Sequence, residues 1–240
     1  MKVIEPGIEI INKDQINGIE ILKTIEKIGR TCYKSEHLIT EESAPKFVQM
    51  LISRGHEAML EHYNISVKFT TDRGVSHEIV RHRLAAYAQE STRYCNYSLS
   101  RNDEEVKFID IEGGIELDNS MNKLESKQID LIINEWVSAC KDAEEHYMKL
   151  IELGASAQIA RSVLNNSTKT EINMTANLRE WRHFFMLRCD TSAHPQMREI
   201  TLPLLEEMHE LIPVVFDDIY EKFIGNVVNF NLNVRNSPIF

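Results

Sequence analysis

The sequence predicts an α+β fold: a single domain over residues 1–240, with a small antiparallel sheet packed by long helices. Three observations carry this expectation. Asn119–Leu153 repeats Ile129, Ile132, Ile133, Trp136, Cys140, Ala143, Tyr147 and Leu150 at mostly three- and four-residue steps, the spacing of one long amphipathic helix. His62–Thr70 sets Tyr63, Ile65, Val67 and Phe69 against polar neighbours, the two-residue period of a half-buried strand. Such strand-like segments are few and lie between long helical ones, with no internal repeat and no low-complexity linker to divide the chain.

The elements follow in order. Gln15–Arg30 has apolar residues at Ile16, Ile19, Leu22, Ile25 and Ile28, a helical spacing. Glu41–Ser53 gathers Phe47, Met50, Leu51 and Ile52 towards one side and reads as a second helix. After the His62–Thr70 strand, Thr70-Thr71-Asp72 offers N-cap chemistry for a helix running to about Arg83. Asp103–Gly114 reads as a short strand and a loop. The long helix then stops at Gly154, because glycine takes the left-handed conformation that ends helices. Ser156–Leu164 reads as a short helix, Thr168–Ala176 as a strand and Leu178–Arg188 as a helix. Pro195–Tyr220 begins as a helix and breaks near Pro213, and the tail from Asn226 is irregular.

Composition narrows the function. Hydrophobic content of 42% and charged content of 27% describe a globular protein, and 240 residues can bury a sizeable core. A formal charge of -10 argues against a general nucleic-acid binder, which presents a broad basic face. No apolar run reaches the roughly 18 residues of a bilayer span, and the N-terminus lacks a signal-peptide core, so the expected location is cytoplasmic. Cys32, Cys95, Cys140 and Cys189 are widely spaced and form no Cys-x-x-Cys pair, which points to free thiols rather than a zinc site or disulfides. His56 and His62 are six apart, not the four that a zinc-protease helix needs, so no metal site is expected. Ser91 lies in no Gly-x-Ser-x-Gly elbow, and neither Gly-x-Gly-x-x-Gly nor a P-loop is present.

The arginines are the informative residues. Ten of the thirteen fall in two windows, Arg73–Arg101 and Arg161–Arg198, whereas the fourteen lysines are scattered. A guanidinium is a planar fork that grips phosphate or carboxylate with two hydrogen bonds and stays charged when partly buried. In an acidic chain such clustering suggests a site for a small anion, with surface ion pairs as the plainer explanation. Arg188 stands out. On a helix from Leu178 the apolar stripe is Leu178, Trp181, Phe184 and Phe185, and at about 100° per residue Arg188 projects into it. A cation there needs an anion, which either Asp190 or a ligand could supply. Arg179 and His183, four apart, share a different face of the same helix.

Arg81-His82-Arg83, then seven residues, then Ser91, followed by Arg93-Tyr94, resembles the signature of the flavin-dependent (alternative) thymidylate synthases. Three further blocks agree in order: Gly55-His56-Glu57 with Glu61-His62, Ala160-Arg161 through Asn177-Leu178-Arg179, and Leu187-Arg188 with Ala193-His194-Pro195-Gln196. The resemblance covers roughly Thr31–Ile200. It implies a homotetrameric enzyme, with active sites between subunits, that makes dTMP from dUMP using FAD, methylenetetrahydrofolate as carbon donor and NADPH as reductant. Carried over by position, Glu78, Arg81, Gln89, Glu90, Ser91, Thr92, Arg93, Arg161 and Arg188 would surround dUMP. His56, Ala58, Arg81, His82, Arg83, Gln89, Asn177, Leu178, Arg179 and His183 would contact FAD. Arg188 would act catalytically at the uracil N3/carbonyl edge, and Ser91 would donate to the phosphate or sit beside the base.

The chain departs from that family's habits at several points. Glu78 stands where glutamine is common, Gln89 and His183 where Glu and Asn are frequent, and Ala58 lacks a hydroxyl. Asn165 replaces a proline after Leu164. No departure removes an arginine from the expected dUMP site. Two other readings stay open on the residues alone: a non-catalytic nucleotide-binding protein, and a nucleic-acid binder using Arg73–Arg101, which the net charge disfavours.

Overall fold

The computed structural model describes residues 1–99 and 105–225; Arg101 and the tail from Asn226 lie outside them. The elements are β1 (Lys2–Ile4), β2 (Gly7–Ile10), α1 (Gly18–Tyr33), α2 (Ser43–Ser53), β3 (Asn64–Asp72), α3 (Arg73–Ile79), β4 (Ala85–Gln89) and β5 (Lys107–Ile109). There follow α4 (Glu112–Leu117), α5 (Ser126–Glu152), α6 (Ala157–Ala160), β6 (Lys169–Asn177), α7 (Leu178–Arg188), α8 (Pro195–Leu211) and α9 (Pro213–Tyr220). The fold is α+β, with a four-stranded sheet in the order β2-β3-β6-β4. Ile11 N–H donates to the Ser66 carbonyl, and the Ser66 and Thr175 hydroxyls meet across β3 and β6. A second, two-stranded pairing was not expected: β1 runs parallel to β5, Val3 opposite Phe108.

The chain divides into two compact units: Met1–Glu9, Val67–Met174 and His194–Ile200 form one; Ile10–Ser66, Thr175–Ala193 and the chain from Thr201 form the other. In the first, Tyr97, Val106, Phe108, Cys140, Ala143, Tyr147 and Ala160 make a core cluster. In the second, Trp181 meets Phe184 edge-on at 5.4 Å, Phe185 meets Phe216 at 5.7 Å, and the indole N–H donates to the Ile65 carbonyl at 3.1 Å. The indole thus buries its large apolar surface while its one polar group is satisfied.

Local chemistry explains the element ends. Asn17 caps α1 by accepting from Glu20 N–H, so the helix begins at Gly18 rather than Gln15. Asp72 caps α3 through Val75 N–H at 2.6 Å, and Asn177 caps α7 through Glu180 N–H. Glu125 and Gln128 form a reciprocal capping box that starts α5 at Ser126, seven residues after the expected Asn119. The Gly154 stop is a Schellman motif: Gly154 N–H reaches Ile151 and Ala155 N–H reaches Leu150. All four cysteines are free.

Three expectations are corrected. Helix α3 ends at Ile79, not near Arg83, because the Tyr87 hydroxyl donates to the carbonyls of Ile79 and His82 and turns the chain into β4. β1, β2 and β4 are strands beyond those expected; β4 is the edge strand beside β6. The segment after β5 is a short helix rather than a loop. Its glycines are there for clearance: a Cβ on Gly113 would lie 2.1 Å from Glu199 Oε1, and one on Gly114 2.6 Å from Gln196 Cγ. Along α5 only Cys140, Ala143 and Tyr147 are buried, while Leu131 and Ile132 near its start are exposed.

Candidate active site

In the first unit the structure joins two of the sequence blocks. Arg161, just after α6, donates from Nη1 to Thr92 Oγ1 at 2.9 Å. Thr92 is 4% exposed, so its hydroxyl is a fixed anchor, whereas Arg161 reaches into solvent. Thr92 lies in the turn Ser91–Cys95, closed by Tyr94 and Cys95 N–H groups on the Ser91 carbonyl. Arg93 is exposed on the same turn, its guanidinium 5.4 Å from the Tyr94 ring centre. Arg81 and Arg83, flanking the buried His82, are exposed, and their guanidiniums form no ion pair with another described residue. Arginines used to hold the fold look different: Arg30 is bound to Glu26, and Arg198 donates to the Leu117 carbonyl.

Two other expected substrate contacts are committed inside this unit. The Gln89 amide donates to Ser76 and Thr170 hydroxyls at 3.0 and 3.1 Å, tying β4 to α3 and β6. Glu90 accepts from Lys169 at 2.9 Å and from the Tyr97 hydroxyl at 3.1 Å. Burial works against the Lys169 charge, yet Glu90 and Glu171 hold its pKa above the ordinary lysine value. Burial and the Glu90 carboxylate push the Tyr97 phenol up, so it stays a donor. Glu78 borders a cavity of about 340 Å³ with Asp72, His77, Asn166, His194 and Gln196, so the His194-Pro195-Gln196 block meets the helix that leads into Arg81-His82-Arg83.

In the second unit, His56 follows a Schellman motif that ends α2: Gly55, at φ 70°, donates to Ile52, and His56 N–H donates to Leu51. The next turn, Glu57–His62, is held to α7 by charge. Glu57 accepts from Arg182 Nε at 3.2 Å, and Glu61 accepts from Arg179 Nη1 at 2.6 Å. The turn that follows His56 and carries Ala58 is thereby held against α7, whose N-cap is Asn177 and whose first turn carries Arg179; Ala58, Arg179 and His183 are all exposed. The Leu178 side chain is core and its N–H goes to the Tyr63 carbonyl.

Arg188 is the last residue of α7 and half-buried, with its carbonyl accepting from Thr201. The buried guanidinium of this helix is Arg182, which no sequence motif picks out. It grips both Asp218 oxygens at 2.7 and 2.8 Å and the Val215 carbonyl. Facing carboxylates raise its pKa although burial alone would lower it. Asp218 is 36 residues from Arg182 and lies beyond every block quoted above, so no local signal pairs the two.

Residues 18–214 match the family model described as thymidylate synthase complementing protein. The chain belongs to this family. Membership makes it an enzyme of the methyltransferase kind. Curated family members named flavin-dependent thymidylate synthase align with most of it. One from Mycolicibacterium gilvum is 32% identical over 204 residues, covering 81% of this chain and 78% of the relative. One from Geobacter sulfurreducens is 30% identical over 197 residues, covering 79% and 78%. A crystal structure of a UMP/dUMP methylase from Streptomyces cacaoi, bound with 5-Br dUMP, has the same fold at 20% identity. Its TM-score is 0.73, over 93% of this chain and 98% of that one. The matched span of the thymidylate synthase complementing family holds every expected site residue, from His56 to Arg188. Among the described residues no helix is long and apolar enough to cross a membrane.

Proposed function

We propose that this chain is a flavin-dependent thymidylate synthase that methylates dUMP to dTMP, with FAD as cofactor, methylenetetrahydrofolate as carbon donor and NADPH as reductant. The observation that carries this reading is the Arg161–Thr92 hydrogen bond, which puts a solvent-reaching guanidinium beside Ser91 and Arg93. Arg161 and Arg93 hold the 5′-phosphate by charge-assisted hydrogen bonds, and Ser91 donates to the phosphate or lies beside the base. Glu90, already gripped by Lys169 and Tyr97, orients this turn as well as any contact it makes with dUMP. Gln89 does the same from β4. Arg188 sits at the uracil N3/carbonyl edge, where a cation stabilises negative charge developing on the ring.

The residues present fit a flavin dinucleotide. Arg81 and Arg83 are exposed forks without an internal counter-ion among the described residues, suited to a pyrophosphate. Arg179 is half-exposed yet braced by Glu61, so it meets a ligand with little ordering cost. His56, Ala58, His82, Gln89, Asn177, the Leu178 backbone and His183 complete the proposed cofactor contacts. When bound, FAD supplies the hydride chemistry, and the protein supplies orientation, charge and exclusion of water. The exposed apolar residues of α5, Leu131 and Ile132, support burial in a homotetramer. We place the enzyme in the cytoplasm, with dUMP and folate as small-molecule partners and neither nucleic acid nor membrane.

The purified protein should be yellow, its flavin absorbance should bleach under NADPH and recover with oxygen, and it should form dTMP from dUMP. Arg188→Ala should abolish dTMP formation while flavin stays bound. A colourless protein that takes up no FAD and no dUMP overturns the reading, and normal turnover by Arg188→Ala overturns the role of Arg188.

A further inference from the structure

The Tyr33 hydroxyl lies 2.7 Å from His56 Nδ1, and the two rings are stacked at 6.5 Å with 23° between their planes. Both residues are placed by helix endings. Tyr33 is the last residue of α1, followed by Lys34 in the left-handed conformation at φ 51°. His56 follows the glycine that terminates α2. Behind the pair stands a braced shell. The Tyr33 ring meets Phe47 edge-on at 85°, and the Arg30 guanidinium covers Phe47 at 4.3 Å. Arg30 is bound twice by Glu26, a carboxylate 1% exposed that also accepts from Ser43. A tyrosine that is 48% exposed is thus held in one place from beneath.

The direction of the bond follows from chemistry. A phenol O–H is a far stronger acid than a neutral imidazole N–H, and an sp² imidazole nitrogen is a far better acceptor than a phenol oxygen. The favoured arrangement is therefore O–H donating to Nδ1, which puts the imidazole proton on Nε2. Nε2 makes no hydrogen bond with another described residue. We propose that Tyr33 is a positioning residue: it holds neutral His56 as the Nε2–H tautomer, so the exposed ring edge donates to a carbonyl or ring nitrogen of the heteroaromatic ligand bound there. This rests on the assignment of His56 to the flavin site. It adds a residue that no sequence block singled out, because Tyr33 is 23 positions away from its partner.

The test uses full-length protein labelled with ¹⁵N-histidine, free of flavin, at a pH where the imidazole is neutral. Wild type should show His56 Nε2 protonated and Nδ1 as an unprotonated acceptor. In Tyr33→Phe the two nitrogen shifts should move towards each other. In the loaded enzyme, Tyr33→Phe should lower kcat on the order of 2- to 10-fold, the worth of one net hydrogen bond, with KM for dUMP unchanged. In a His56→Gln background the same change should have no further effect. A proton on Nδ1 in wild type, nitrogen shifts unmoved by Tyr33→Phe, or an equal further loss in the His56→Gln background overturns the proposal. The nitrogen shifts need no turnover, so an absence of dTMP formation would count against the proposed function and leave the tautomer result standing.

Discussion

Removing the Thr92 hydroxyl tests whether the first unit presents a preordered phosphate site. Thr92→Val is nearly isosteric at a position 4% exposed, so packing is kept and only the acceptor for Arg161 is lost. Freezing an arginine side chain costs roughly 1.5–2 kcal/mol. One hydrogen bond to an otherwise solvated guanidinium prepays about half of that, about 1 kcal/mol. The dUMP dissociation constant should rise about 5-fold in Thr92→Val and stay near wild type in Thr92→Ser. Arg161→Ala removes the charge itself, and a hydrogen bond to a charged group is worth about 1.5–3 kcal/mol, or roughly 10- to 150-fold. Calorimetric titration of dUMP into the three variants gives the order Ser, Val, Ala. If Thr92→Val bound as tightly as wild type, Arg161 would not be preordered by this bond. If Arg161→Ala bound as tightly, the phosphate would lie elsewhere.

Two predictions concern stability. Burial first, and then the charges of Glu5, Asp110, Asp72 and Glu116, push the Glu199 carboxyl up to about 7. The folded state therefore keeps a proton that the unfolded chain releases earlier, so this stabilisation is complete below about pH 4.5 and lost as the pH rises through about 7, up to about 3 kcal/mol. Glu199→Gln should melt higher than wild type at pH 8 and lose that advantage at pH 4.5; parallel melting profiles at the two pH values would refute the assignment. At the start of α1, a Cβ on Gly18 would lie 2.1 Å from the Leu211 carbonyl oxygen, a backbone atom that cannot step aside. Gly18→Ala should cost about 1–3 kcal/mol and lower Tm by roughly 3–10 °C in calorimetry, and an unchanged Tm would refute the clash.

Periodic and capped segments were legible from residue order because their signals are local. The alternation of β6, and of β3 up to Thr71, survives as burial that changes from residue to residue, and α7 spans Leu178–Arg188 as its cap and stripe indicate. The break near Pro213 falls where proline cannot continue a helix. β4, rich in alanine, becomes a strand only because β6 lies beside it. Helix α4 forms against two glycines because Gln196 and Glu199 fill the space their missing side chains leave. For the site, the clustering of forked cations was visible along the chain. Which of them are exposed for a ligand and which brace the fold was not.

What the sequence by itself determined is the set of elements whose stabilisation is short-range, the chemistry of the side chains available, and the family to which their order belongs. What only the tertiary structure decided is partnership. Arg182, not Arg188, is the buried cation of α7, since Asp218 arrives to neutralise it. Thr92 anchors Arg161 across 69 positions, and Tyr33 fixes His56 across 23. A hydrogen bond depends on distance in space, and distance along the chain carries no record of it once the backbone has turned more than once.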